Sequence, residues 1–147
     1  MESLPSWLLT QTAAHASRLV GDGFAAVGAR GYHYRLLTSL ITDGPASQAD
    51  LGRRTGYHLS DLVAALNELE KSGYIRRAPD PEDRRRNVIT ITAEGRTRAE
   101  ELAAQAATIQ ERLLAPLDDA ERRQLTALLT KLHEHHGQQG IPPLPKM

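Results

Sequence analysis

The feature that most constrains this chain is a switch of hydrophobic period close to residue 87. Before it, apolar side chains recur about every three or four positions, as on one face of a helix. Residues 87–92 instead alternate apolar and polar side chains, as in a half-buried strand. A short strand at residues 74–77 and the turn-prone run PDPED come just before. This order predicts a β-hairpin among helices, with the three arginines of residues 84–86 at its tip.

Helical periodicity predicts most of the remaining chain, with glycine or proline turns between the segments. Helices are expected over residues 4–29, 32–42, 48–54 and 58–71, from Thr92 to a break at Pro116, and from Asp118 to about residue 136. The first helix is expected to bend or end at Gly21 and Gly23. Ser47 is placed to cap the third helix, with Asp50 in its first turn and Gly56 at its end.

The third and fourth helices, joined by a short turn that contains glycine, form a helix-turn-helix. A hairpin directly after this motif is the order of a winged helix. The predicted fold is mainly α with a small β-hairpin wing: a winged helix-turn-helix at residues 32–91, flanked by N- and C-terminal helices. The 147 residues are expected to form a single domain with a flexible tail at residues 137–147.

Composition excludes several classes of protein. The chain contains no cysteine, so disulfides and thiol redox sensing are excluded and a cytoplasmic setting is expected. No apolar run reaches the roughly 18 residues of a membrane span, and the N-terminus lacks the pattern of a signal peptide. No nucleophile–base arrangement or phosphate loop is present, so neither an enzyme nor a cofactor is predicted. Basic and acidic residues both number 18, but residues 71–98 hold eight basic and four acidic side chains, a net charge of +4.

The run LEKSGYIRRAPDPEDRRRNVITITAEG resembles the MarR family of winged-helix transcription regulators, and the resemblance extends over roughly residues 14–136. The family pattern is occupied by Leu69, Glu70, Gly73, Arg77, Asp83, Arg85, Thr92 and Gly95. The resemblance implies a homodimer that binds double-stranded DNA at a pseudo-palindromic operator. It also implies that residues 4–30 and 92–136 form the dimerisation helices, and that a small-ligand pocket lies near their junction with the DNA-binding lobe. Apolar stripes on the last two helices independently call for a partner surface.

The basic wing is the predicted main contact with DNA, because a protruding cationic tip displaces counterions from the phosphates. The candidate wing residues are Arg77, Asp83, Arg84, Arg85 and Arg86. Arg85 is expected to enter a narrow A·T minor groove, with Asp83 holding its guanidinium in a bidentate pair. Arg84 and Arg86 are expected to point to the other face of an extended segment and to meet phosphates. A solvated turn with weak surface ion pairs is the alternative reading of the run.

The fourth helix is predicted to read bases in the major groove. Its candidate contacts are Ser60, Asp61, Ala64, Ala65 and Asn67, and Ser47, Arg53 and Arg54 are the candidate contacts to the DNA backbone. Unlike many relatives, this helix carries acids and no basic residue before Lys71. The acidic helix also favours a second hypothesis, a winged-helix dimer that works through protein–protein contact with little DNA binding.

Other residues are candidates for a ligand pocket or a metal site. The candidate ligand pocket consists of His15, Arg18, Tyr32, His33 and Tyr34, where aromatic walls and a basic group would suit a small aromatic or anionic effector, with ordinary packing as the alternative. The run HEHH places His133 and His136 on one helical face, but without a clear third ligand no metal site is predicted. The tail segment PPLP is read as a loose end rather than a binding motif.

Overall fold

Six helices and a small sheet make up residues 3–138, the part of the chain that this computed structural model describes. In chain order the elements are α1 Pro5–Ala25, α2 Gly31–Asp43, β1 Ala46–Ser47, α3 Gln48–Thr55, α4 Leu59–Lys71, β2 Ile75–Pro79, β3 Asn87–Ile91, α5 Ala93–Leu113 and α6 Asp119–Gln138. The mainly helical fold with a hairpin wing is therefore confirmed. Within the described residues, no helix is long and apolar enough to cross a membrane. The segment PPLP and most of the expected tail lie outside them.

The sheet has three antiparallel strands in the order β1-β3-β2. In the wing hairpin, Ile75 pairs with Ile91 and Pro79 with Asn87. Ile75 and Ile89 face the helices and are buried, as the alternation of the sequence predicts. The third strand, β1, is absent from the sequence prediction, which treats DGPAS as a turn. Two residues are too few to show an alternating pattern, so only the pairing of β1 with β3 defines this strand.

Local chemistry determines the two helices of the helix-turn-helix. The Ser47 hydroxyl accepts a hydrogen bond from the Asp50 N–H at 3.1 Å, and the Asp50 carboxylate accepts one from the Ser47 N–H at 3.4 Å, so α3 begins with a reciprocal cap. Gly56 ends α3 in the left-handed conformation, with φ of 70°. The predicted leucine face of α4 is confirmed, because Leu62, Leu66 and Leu69 are all buried.

The first turn of α5 lies close against the start of the wing. The Thr92 hydroxyl accepts a hydrogen bond from the Gly95 N–H at 3.0 Å and donates one to the Gly73 carbonyl at 2.7 Å. A Cβ atom at Gly95 would overlap the Tyr74 carbonyl oxygen. Glycine is therefore required here because the helix backbone approaches the strand too closely for any side chain.

Helix α1 does not end at Gly21 and Gly23, so the helix end that the sequence offered as one outcome at these glycines is wrong. The helix continues through both glycines to Ala25. Gly23 lies against Ile109 of α5, whose side chain a Cβ atom would overlap. The glycine therefore lets the two helices pack closely instead of weakening α1, a tertiary reason that the local sequence does not reveal.

The chain forms two compact units that divide between Gln110 and Glu111, inside α5. The first unit contains the winged helix-turn-helix and a core of leucine and isoleucine side chains drawn from α2 to α5. In the second unit, the Asp118 carboxylate accepts a hydrogen bond from the Glu121 N–H at 2.8 Å, and the Glu121 carboxylate accepts one from the Asp118 N–H at 3.0 Å. This pair is the predicted acidic cap of α6. None of the α6 side chains is buried.

Candidate nucleic-acid interface

The wing tip is a tight turn that two aspartates organise. The Asp80 carboxylate accepts a hydrogen bond from the Glu82 N–H at 2.9 Å, and the Asp83 carboxylate accepts one from the Arg85 N–H at 3.1 Å. Both are Asx turns, in which a short acidic side chain replaces a backbone acceptor. The Asp80 N–H closes the loop by donating to the Arg86 carbonyl at 2.7 Å. The acids therefore fold the turn that displays the arginines.

The geometry of Asp83 and Arg85 differs from the sequence expectation. Asp83 Oδ1 lies 3.6 Å from Arg85 Nε, and its hydrogen bond goes to the Arg85 backbone, so the expected bidentate pair does not form. The Arg85 side chain is 95% exposed and remains extended into solvent. Residues 84–86 form a turn and not an extended segment, so the expected alternation of Arg84 and Arg86 is also wrong. A turn suits Asp83 because its carboxylate lies within reach of the nearby backbone N–H.

A basic groove lies between α3 and the wing. Arg53 of α3, Arg77 of β2 and Arg86 of the wing tip all line it, together with the first turn of α3. Asp50 bridges the two sides, since its carboxylate pairs with the Arg53 guanidinium and lies 3.8 Å from that of Arg86. Hydrogen bonding to Ser47 is the largest cause that lowers the pKa of Asp50, so this carboxylate stays charged. The groove thus gathers arginines that are far apart in sequence.

Arg77 connects the wing to the recognition helix α4. Its guanidinium donates a hydrogen bond to the Asn67 side-chain oxygen at 2.9 Å, and its Nε lies 3.8 Å from the Glu70 carboxylate. The side chain is only 23% exposed. Arg77 and Asn67, predicted as separate contacts to DNA, therefore hold each other across the two elements. Such a bond positions the wing relative to α4.

The exposed face of α4 agrees with the sequence at Ser60 and Ala64 and differs at Ala65. Ser60 and Ala64 are exposed, and Asp61 is half-buried and has an interaction partner. Ala65 is 0% exposed and belongs to the core, so its assignment as a contact to DNA is wrong. The reason is angular: Ala65 lies next to Leu62, Leu66 and Leu69 around the helix, at the edge of the buried face.

Two of the three predicted backbone contacts have structural roles. Ser47 is only 8% exposed, and its hydroxyl caps α3, so the free hydroxyl expected for a phosphate contact is not present. Arg54 donates a hydrogen bond to the Gly44 carbonyl at 3.1 Å. Arg53 is the exception, because its side chain is 71% exposed beside the basic groove. Ser47 stands at the N-cap position of α3, where a serine hydroxyl bonds to the helix backbone, and the sequence predicts this capping role.

A three-residue contact, which we call the α2–α4 clasp, joins Arg30, His33 and Glu68. The Glu68 carboxylate lies 2.8 Å from the Arg30 guanidinium and 2.6 Å from His33 Nε2. The Arg30 N–H donates to His33 Nδ1 at 3.2 Å, which leaves Nε2 to carry the ring hydrogen and to donate to Glu68. Burial is the largest cause that lowers the pKa of His33, and the hydrogen bond to Glu68 opposes it. The clasp therefore holds the recognition helix with a neutral histidine.

The five residues of the expected ligand pocket are not brought together. His15 and Arg18 are exposed on α1 and line none of the principal cavities. Tyr32, His33 and Tyr34 line three different cavities. Consecutive residues of a helix point about 100° apart, which prevents three neighbours in α2 from lining one pocket. Tyr32 stacks edge to face on Tyr57, with ring centroids 4.6 Å apart, and thereby packs α2 against the turn of the helix-turn-helix.

The structure also places residues at the interface that the sequence reading omits. Leu59, the first residue of α4, is 67% exposed and lies outside the predicted buried face of this helix. Arg30 and Glu68 form the clasp just described, and their separation of 38 residues hides the pairing from any local pattern. Among the described residues, no group of three or more His, Cys, Asp or Glu side chains could hold a metal ion, and the HEHH run on α6 forms no such group.

Comparison with known proteins gives one consistent result. The MarR family profile matches residues 29–86, from just before α2 to the wing tip. The uncharacterized HTH-type transcriptional regulator YdgJ of Bacillus subtilis (strain 168) is 28% identical over 120 residues, which cover 81% of this chain and 73% of YdgJ. A crystal structure of a probable transcriptional regulator from Pseudomonas aeruginosa is 30% identical, with a TM-score of 0.78, and the match covers 89% of this chain and 98% of that one. Both relatives are described as transcriptional regulators and not as enzymes.

A third similar structure bears on the fold alone because its identity is lower. It is the structure of BpsR from Bordetella bronchiseptica, a protein whose DNA binding is described as regulated by 6-hydroxynicotinic acid. It is 22% identical, with a TM-score of 0.77, and the match covers 90% of this chain and 94% of BpsR.

Proposed function

Because this chain belongs to the MarR family of winged helix-turn-helix transcription regulators, we propose that it is a homodimeric repressor that binds a pseudo-palindromic operator and releases it when a small aromatic or anionic ligand binds. The observation that carries the proposal is the wing tip, where an acid-organised turn presents three consecutive arginines, Arg85 with 95% of its side chain exposed. Asp83 lies 3.6 Å from its Nε and leaves the guanidinium almost wholly in solvent, so a DNA phosphate or a narrow minor groove is a fitting partner.

The basic groove and α4 supply the remaining contacts in this proposal. Arg53 and Arg86 meet phosphates on either side of the groove, while the N-terminal half of α4 enters the major groove. The bond between Arg77 and Asn67 keeps the wing and α4 at a constant spacing, so that both reach the duplex together. Affinity then comes mainly from the arginines, because α4 itself carries acids and only Lys71 at its end.

The proposed dimer rests on exposed apolar side chains in both terminal helices. On α1 and just before it, four large apolar side chains have exposures of 36–50%: Leu4, Trp7, Leu8 and Leu9. On α6, three leucines are exposed by 39–62%: Leu128, Leu129 and Leu132. Apolar rows of this kind on amphipathic helices are buried by a partner. A second copy of the chain supplies the same rows and gives the two-fold symmetry that a pseudo-palindromic operator requires.

Ligand response is proposed by analogy with BpsR, whose DNA binding is described as regulated by 6-hydroxynicotinic acid, an aromatic acid. A ligand releases DNA only if it binds the DNA-incompetent shape more tightly than the competent one. A 100-fold difference corresponds to roughly 2.7 kcal/mol of coupling. Titrating the protein–DNA complex with 6-hydroxynicotinic acid and other small aromatic acids tests this part separately from DNA binding.

The decisive experiment measures the affinity of the purified protein for its own upstream DNA at several salt concentrations. A regulator that neutralises several phosphates loses affinity steeply with salt, and each lost phosphate contact lowers the slope by about 0.9. Arg85→Ala in both protomers is expected to flatten the slope and to weaken the preference for A·T flanks. Arg123→Ala, which removes the same charge from an exposed position on α6, is the matched control.

Two results contradict the proposal in different ways. An Arg85→Ala binding curve identical to that of the unaltered protein removes the role assigned to the wing tip. Negligible DNA binding at every salt concentration removes the DNA-binding function and favours the alternative, a winged-helix dimer that acts through protein–protein contact.

A further inference from the structure

The most exposed large apolar side chain among the described residues belongs to the recognition helix. Leu59, the first residue of α4, is 67% exposed. Isolated apolar residues on a surface are ordinary and need no explanation by themselves. Leu59, however, lies in the N-terminal turn of α4, where recognition helices present side chains to base edges. An exposed apolar side chain in this turn is available to contact a base edge.

The polar side chains farther along α4 are already engaged within the protein. The Asn67 side-chain oxygen accepts from Arg77 at 2.9 Å. Both carboxylate oxygens of Glu68 are held in the clasp, at 2.8 Å from Arg30 and 2.6 Å from His33. A side chain with its partners in place gains little by exchanging them for a base edge. The polar groups of the second half of α4 are thus poor candidates for base reading.

In the first two turns of α4, the face that bears Leu59 is mainly apolar. Around the helix, Leu59 is followed by Val63, then Ser60 and Ala64, all within about 140° of one another. Val63 is half-buried, and Ser60 and Ala64 are exposed. In the first two turns of α4, this face carries no basic side chain and no amide that could grip a purine in a bidentate pair; Asn67 and Lys71 come only farther along the helix. Its dominant chemistry is aliphatic.

We propose that α4 recognises its operator through the C5 methyl groups of thymine, with Leu59 as the main specificity-determining residue and Ala64 as a second contact. The thymine methyl is the one apolar group that the major groove offers, and aliphatic side chains are its usual partners. This inference rests on the proposed DNA-binding function. Apolar contacts then determine which DNA sequence is preferred, and the arginines of the wing and the basic groove supply most of the affinity.

The test replaces thymine by deoxyuridine, which removes the methyl group and leaves base pairing intact. Duplexes bound by the full-length protein are first selected from a random library, and each conserved thymine is then substituted in turn. The loss of one methyl contact is expected to weaken binding about fourfold per half-site, from roughly 0.8 kcal/mol per buried carbon. Substitution in both half-sites is expected to weaken binding about 15-fold. Thymines outside the conserved part of the selected duplexes serve as the DNA control.

The protein variants show which side chain meets the methyl group. Leu59→Ala is expected to lose the discrimination at the thymine that Leu59 meets, because most of the contact with that methyl group is removed, and to keep it at the thymine that Ala64 meets. Leu59→Met keeps an aliphatic side chain and is expected to keep most of the discrimination. Ile41→Ala, which shortens a 40% exposed apolar residue of α2, is expected to leave discrimination unchanged. Thermal unfolding of each variant verifies the fold.

The outcomes separate this inference from the function on which it rests. Equal affinity of the unaltered protein for both duplexes, with sequence-selective binding intact, overturns the thymine reading and leaves the DNA-binding function standing. Full discrimination by Leu59→Ala overturns the assignment to Leu59. No sequence-selective or salt-dependent binding in the selection overturns the proposed function and this inference together.

Discussion

We expect the α2–α4 clasp to make the stability of this protein sensitive to mild acid through His33. In the folded protein, His33 Nδ1 accepts the Arg30 N–H at 3.2 Å while Nε2 lies 2.6 Å from the Glu68 carboxylate. Protonation would place a hydrogen on Nδ1, directly against the Arg30 N–H, and would break that bond. Arg30 and Arg98 also lie close enough to disfavour a positive ring, while Glu68 favours one. Burial prevails, and the pKa of His33 is lowered from its ordinary value of 6.5.

The direction and the upper limit of the effect follow from proton linkage. Since the pKa of His33 is lower in the folded state, the unfolded chain binds this proton first as the pH falls. The free energy of unfolding therefore declines once the pH drops below about 6.5, and the decline stops below the folded-state pKa. At most one proton is involved, so the loss between pH 7.5 and pH 5.5 is at most about 1.4 kcal/mol. Above pH 7.5, His33 contributes almost no pH dependence.

Chemical denaturation at pH 7.5, 6.5 and 5.5, at one constant protein concentration, measures this loss. His33→Gln removes the titrating ring, so its free energy of unfolding is expected to fall less over the same range than that of the unaltered protein. His15→Gln replaces an exposed histidine of α1 that lies outside the clasp, and it serves as the control for the substitution itself. A pH dependence that is the same in His33→Gln, or stability of the unaltered protein that rises as the pH falls, would refute the reasoning.

Three further predictions concern packing and assembly. Gly95→Ala drives a methyl group into the Tyr74 carbonyl, so it is expected to cost about 1–3 kcal/mol of unfolding free energy, measured by denaturant titration; an unchanged midpoint contradicts the close approach. Leu102→Ala empties a site with 0% exposure and is expected to cost about 2–5 kcal/mol in the same assay, whereas a cost below 1 kcal/mol would show that the first unit packs loosely. Leu128→Glu combined with Leu132→Glu places charges on the exposed α6 row and is expected to yield monomers in sedimentation analysis, and an intact dimer would exclude this row from the interface.

Features that depend on a few neighbouring residues could be predicted from the sequence. Ser47 with Asp50, and Asp118 with Glu121, cap α3 and α6 as predicted, because each pair is only three residues apart and satisfies helix-end N–H groups directly. The buried leucine face of α4 and the alternating strand β3 follow from the period of the apolar residues. The family was also recognisable at this level, since its motif is one continuous run.

Features that depend on residues distant in the chain were decided only by the tertiary structure. Arg77 meets Asn67 across the wing and α4, and Glu68 meets Arg30 and His33 across 38 and 35 residues, which no local pattern indicates. The same packing adds β1 to the sheet by pairing it with β3. Helix capping and hydrophobic period act within one or two turns of chain, whereas the partner of an exposed polar group depends on where other elements come to lie.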